Sequence, residues 1–214
     1  MALTDSGRLE AFSDGILAVA ITLLAFNLAI KGPTAPHPLS TQLFNEWPAV
    51  AAYLVSFLTI GTIWVNHHAL FKNLRTVDRT LLFLNLLLMM FVVLIPFATS
   101  VMADYLRTDG AAAHLAAAVY GGVLEAMSLS FAAILRWSIR KGHLHRPLTA
   151  AEGKVALRRF AIGVLAYVVA AATAFISAPL ALALYGVIGM YYVFEHTPTQ
   201  PADPIADFEG ESGT

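Results

Sequence analysis

Apolar residues run almost without interruption through six stretches of this chain, and polar residues gather between them. The stretches lie at about Arg8–Ile30, Pro48–Phe71, Arg79–Ala103, Ala112–Trp137, Arg158–Ser177 and Pro179–His196. None alternates apolar and polar residues with a period of two, and a barrel strand would be only about 10 residues long. A helix pairs its own backbone groups, so these stretches read as helices that can cross a bilayer, where about 20 apolar residues are needed. Pro48 suits a helix start, because its missing N–H would be unpaired there anyway. Ser177-Ala178-Pro179 leaves so little chain between the last two stretches that they form a tight helical hairpin. The pattern therefore predicts an all-α polytopic membrane protein with six transmembrane helices in one domain over residues 1–197. The Pro-, Gly- and acid-rich residues 198–214 read as a disordered cytoplasmic tail.

Composition agrees. Only 13% of the residues are charged, against about 25% in soluble domains, too few to cover a water-facing surface. There is no cysteine, so disulfides and thiolate metal sites are excluded. The first apolar run lacks a basic leader and carries Arg8, Glu10 and Asp14, which is unlike a cleavable signal peptide.

Charge then orients the bundle. Arg8, the connection with Lys72, Arg75 and Arg79, and the connection from Arg136 to Arg159 hold eleven of the thirteen basic residues on one side; Lys31 and Arg107 lie on the other. The positive-inside rule places both termini in the cytoplasm, which requires an even number of spans. The basic 136–159 connection could also touch anionic lipid, but its role as a topology signal is the simpler reading. No internal repeat stands out.

Polar punctuation concentrates in the first three stretches: Ser13, Asp14, Asn66, His67, His68 and Asn85. Intramembrane polar groups are expected to find partners across the bundle. Ser13 or Asp14 is expected to bond a histidine or Asn66, with Asn85 a further candidate. Adjacent His67 and His68 point about 100° apart on a helix, so one helix cannot aim both at one metal. Glu125, a lone acid in the fourth stretch, is either a proton site or a partner of His114 or of backbone groups. Gly15, Val19, Thr22, Phe26 and Ile30 share one helical face. By spacing alone this is a packing face, with Thr22 bonded back to its own helix. No phosphate loop, nucleophile elbow, H-E-x-x-H or T-V-G-Y-G filter occurs, and no basic soluble module suggests nucleic acid.

The stretch Arg8-x-x-x-Phe12-Ser13-Asp14-Gly15-x-x-Ala18-x-x-x-Thr22-Leu23, followed by Trp64-x-Asn66-His67-His68, resembles the signature of the transmembrane protein 175 family. That family includes the lysosomal potassium channel and its prokaryotic relatives. The resemblance covers the first three stretches; the rest agree in number and hydropathy. It implies a potassium-selective cation channel, not an enzyme, built as a homotetramer in a prokaryotic cell membrane. The first helix of each subunit would line a central pore without a carbonyl filter. Carried over residue by residue, Val19, Leu23 and Phe26 would form the constriction, and Thr22 the selectivity layer. Arg8, Phe12, Ser13, Asp14, Trp64, His67 and Asn85 would brace them. Val19 is smaller than the family's usual Ile or Leu, and Phe26 larger than its usual Leu. No cofactor or bound metal is implied, only permeant potassium and surrounding lipid. A secondary or proton-coupled transporter is the alternative; it would want inverted repeats and broken helices.

Overall fold

The computed structural model describes residues 6–28, 36–108, 110–146 and 148–193, and these are helical almost throughout. Helix α1 spans Ser6–Leu24 and tightens into a 3-10 turn over Ala25–Asn27. A short α2 (Leu39–Asn45) precedes α3 (Trp47–Lys72), which has Pro48 in its first turn. Then come α4 (Arg79–Tyr105), α5 (Ala111–Lys141), α6 (Ala150–Thr173) and α7 (Ala178–Tyr191). Residues 29–30 of the first stretch, 194–196 of the last, and the 198–214 tail lie outside the described residues.

Five of these helices are long and apolar enough to cross a membrane. The fourteen described residues of α7 rise about 21 Å, short of the roughly 30 Å hydrocarbon core. The bundle is the all-helical membrane fold that the apolar pattern predicts.

The largest boundary difference is at α6, which starts at Ala150 and not near Arg158. Its start is set by a capping box: Thr149 Oγ1 accepts the Glu152 N–H, and the Glu152 carboxylate accepts the Thr149 N–H at 2.8 Å. Capping here outweighs the polar residues of the first two turns. Helix α5 likewise runs past Trp137 to Lys141. Gly142 stops it in the left-handed region (φ 68), and the His143 N–H returns to the Ser138 carbonyl at 3.0 Å.

Helix α4 packs against α1, α3 and α5, and α5 in turn carries α6 and α7. Buried hydroxyls stitch the middle: Ser56 of α3 bonds Thr99 of α4 at 2.7 Å and Tyr120 of α5 at 2.8 Å. The α3–α4 and α5–α6 connections meet at one end. There Leu74 pairs with Leu144, the Arg75 N–H donates to the His143 carbonyl at 2.8 Å, and the His145 N–H donates to the Asn73 carbonyl at 2.9 Å. Asp78 organises this junction. Its carboxylate caps α4 through the Leu81 N–H at 2.8 Å and accepts the Trp137 indole N–H at 3.0 Å, with His143 Nε2 3.2 Å away. Partial burial pushes its pKa up, but the Leu81, Trp137 and His143 interactions outweigh that and hold the carboxyl below its ordinary value.

Candidate functional site

Helix α1 rests on α3 and α4 with one face and leaves the other uncovered. Leu9, Ser13, Leu17, Ala20 and Leu24 are buried. Val19 is 56% and Phe26 80% exposed, and Arg8, Phe12, Gly15, Thr22 and Leu23 are exposed with them. The outward residues 8, 12, 15, 19, 22 and 26 alternate steps of four and three. That is the 3.5-residue period of a helix seam that packs against copies of itself. Ile30 lies outside the described residues.

The buried face is held by directional bonds. Asn85 of α4 donates through Nδ2 to Ser13 Oγ at 2.9 Å, and Ser13 donates to the Leu9 carbonyl at 2.9 Å. With its amide committed as donor, Asn85 Oδ1 accepts from His67 Nε2 at 2.9 Å. The proton of that bond therefore sits on His67 Nε2. Its Nδ1 is buried without a hydrogen bond among the described residues, and its ring stacks on Phe71 at 3.8 Å. Ser13 and Thr22 are nine residues apart, two and a half turns, so they lie on opposite faces. Anchoring Ser13 on α4 consequently sets the rotation that turns Thr22 outward.

Thr22 Oγ1 donates to the Val19 carbonyl at 2.8 Å. Its only proton is thereby spent on its own helix, and the oxygen keeps a lone pair for an outside partner. Gly15 has nothing within 4 Å of where a Cβ would stand, so it leaves room on the same face.

A second bracket sits at the Arg8 end. Trp64 Nε1 donates to Asp14 Oδ1 at 3.0 Å, and Glu10 Oε1 lies 2.6 Å from His68 Nδ1. The Trp64 and His68 rings stack with centroids 6.0 Å apart. These contacts, together with the Leu74–Leu144 bridge, put the start of α1 and both basic connections at one end of the bundle. At the other end the Asn27 amide reaches the Pro96 carbonyl at 3.1 Å.

The structure thus joins Ser13, Asn85 and His67 in one chain and Asp14 and Trp64 in another. Arg8 and Phe12 take part in neither; both stand on the exposed face. Three expected pairings differ. No histidine bonds Ser13 directly, because Asn85 lies between. Asn66, 100° round the helix from His67, turns instead to the Tyr192 carbonyl at 3.2 Å. Glu125 does not reach His114, since eleven residues of helix separate them by about 16 Å. Its Oε2 is shut off from solvent with no hydrogen bond among the described residues. Sequence reasoning missed Glu10 as a partner of His68. The signal was available: Glu10 and Asp14 are four apart and share a helix face.

Known ion channels resemble this chain along most of its length. Residues 8–96 match the family described as endosomal/lysosomal potassium channel TMEM175. A potassium channel of Streptomyces collinus is 46% identical over 205 residues, covering 95% of this chain and 99% of that one. A potassium channel of Chamaesiphon minutus is 32% identical over 192 residues, covering 88% and 94%. The human endosomal/lysosomal proton channel TMEM175 is 34% identical over 99 residues, which cover 42% of this chain and 20% of that protein. Among solved structures, the lysosomal potassium-selective channel TMEM175 homolog from Chamaesiphon minutus superposes with a TM-score of 0.79 at 32% identity, covering 90% of this chain and 98% of that one. With relatives of this identity matched end to end, the chain belongs to the TMEM175 family of ion channels, integral membrane proteins and not enzymes.

Proposed function

We propose that the protein is a passive, potassium-selective cation channel assembled as a homotetramer, with four α1 helices around a central pore. The observation that carries this reading is the uncovered face of α1, which repeats every 3.5 residues and is backed by buried polar anchors. A seam of that period is satisfied by like helices packed around one axis. Val19, Leu23 and Phe26 form the constriction, where apolar rings close the pore by dewetting. Thr22 supplies a ring of hydroxyl oxygens that replace part of the ion's hydration shell, so no carbonyl filter is needed. Ser13, Asn85 and His67, with Asp14 and Trp64, hold the helix rotation behind that face; Arg8 and Phe12 belong to the pore mouth. The basic end faces the cytoplasm of a prokaryotic cell, with both termini there.

Reversal potentials of the purified protein in planar bilayers test this, under opposed potassium and sodium gradients. Large currents reversing near the potassium equilibrium potential are expected. A reversal that follows an imposed proton gradient, or flux that saturates like a carrier, would overturn it. In Thr22→Ala, potassium preference should fall several-fold while conduction persists. An unchanged reversal potential in that variant would remove Thr22 from the selectivity layer. Crosslinking in detergent should stop at four copies.

A further inference from the structure

We propose that Glu10, Asp14 and His68 form a binding site for a divalent transition-metal ion that ties α1 to α3. One ligand atom from each residue lies within 4.8 Å of the others. Glu10 and Asp14 sit one turn apart on α1, so both carboxylates leave the helix on one side. His68 comes from the last turns of α3 to meet them. The site differs from a His67–His68 pair, which one helix cannot aim at one ion; here the donors converge from two helices.

Its chemistry suits zinc-like ions. One imidazole nitrogen and two carboxylate oxygens are ordinary zinc donors, and three protein ligands leave a fourth position for water. Two negative charges match the ion. Nδ1 of His68 is shut off from solvent and makes no aligned hydrogen bond among the described residues, although Glu10 Oε1 lies 2.6 Å away. That places an imidazole nitrogen directly beside a carboxylate oxygen, where an inserted cation can take the place of the pair's proton. Bound zinc separates its ligands by about 3.4 Å, given bonds near 2.1 Å. The Glu10–His68 gap must therefore open by less than 1 Å and Asp14 must close in, movements that side-chain rotation supplies. With Nδ1 as the ligand, the ring proton sits on Nε2.

Trp64 builds the outer layer. Its N–H holds Asp14 Oδ1 at 3.0 Å, leaving the second oxygen for the ion, and its ring stacks on His68. Hydrogen-bonded ligand carboxylates and fixed imidazoles are what raise metal affinity in protein sites. The site rests on these two helices alone and does not depend on the ion-conduction reading.

Zinc titration by calorimetry of the full-length, tag-free protein in detergent tests it, together with zinc absorption-edge spectroscopy of the same sample. One zinc per subunit is expected, with a first shell of nitrogen and oxygen that includes one imidazole. Affinity should drop about tenfold or more in Glu10→Gln, in His68→Asn and in Trp64→Phe. The exposed-histidine control His37→Asn should bind as the parent does. Zinc should raise the melting temperature of the parent and not of the Glu10→Gln/His68→Asn double variant. Parent protein that binds zinc no tighter than the double variant would overturn the site. So would a first shell without imidazole, which needs no variant to be read, or a loss of binding in His37→Asn with His68→Asn unaffected.

Discussion

Helices α1 and α6 both leave an apolar face uncovered, but the two faces are built differently. Over its membrane-crossing middle, α6 turns out Ile162, Leu165, Val168 and Val169, an aliphatic surface. Behind it lie Tyr167, Ala170 and a close approach at Gly163, where a Cβ would overlap the Tyr192 hydroxyl. The outward face of α1 carries Gly15 and Thr22 among its apolar residues, and behind it stands the Ser13–Asn85–His67 chain. An all-aliphatic surface asks only to be apolar, so small rotations of α6 would change little. A surface that must present one hydroxyl in one direction needs its rotation held. Dispersion contacts are non-directional, whereas a hydrogen bond fixes an angle.

The comparison can be broken most strongly at Asn85. Asn85→Leu leaves Ser13 and His67 without their shared partner in a buried site. The loss should be about 3 kcal/mol, at 1–3 kcal/mol for each orphaned group. Thermal melts of the detergent-purified protein check this, and an unchanged midpoint would show that the Ser13–Asn85–His67 chain does not hold α1.

Next comes the packing-held half. At Gly121 of α5 a Cβ would collide with the Tyr185 side chain, whose hydroxyl donates to the Ala117 carbonyl at 3.4 Å. Gly121→Ala should cost about 1–3 kcal/mol through overpacking, and its reversal potential should stay as in the parent. A shift in selectivity from this distant site would deny that the two halves have separate tasks.

Asp78→Ala at the junction between the two basic connections removes an N-cap, at about 1 kcal/mol, and deprives the Trp137 indole of its acceptor. Because the folded carboxyl titrates below its ordinary value, its contribution is complete above the ordinary carboxylate range. It disappears as pH falls through the lowered folded value. The parent should therefore lose stability on acidification more steeply than Asp78→Ala, and parallel acid melts of the two would contradict this.

The smallest effect is expected on the uncovered aliphatic face of α6. Val168→Ala should move stability by no more than about 0.5 kcal/mol and leave currents unchanged. A large effect would mean that this part of α6 meets protein and not lipid.

Much of the bundle was legible beforehand because membrane helices announce themselves by length and apolarity. The start of α3 beside Pro48, the start of α4 at Arg79 and the hairpin at Ser177 fall where the chain punctuates them. Apolarity alone misplaces the start of α6 near Arg158, because the Thr149–Glu152 cap begins the helix among polar residues. For the site, the spacing of Val19, Thr22 and Phe26 placed them on one face. It could not say whether that face was covered. Only the packing of α3 and α4 on the opposite side decided that it is not.

By itself, then, the sequence determined the solvent, the helices, their alternation and the common face of α1, all of which follow from local periodicity and the hydrophobic demand of a bilayer. The tertiary structure decided which polar residues meet. Ser13 reaches Asn85 across 72 positions of chain, Asp14 reaches Trp64 across 50, and Glu10 meets His68. Such pairings depend on how helices rotate and cross, and no local pattern encodes those angles, because each is set by the side chains of two or three helices packing at once.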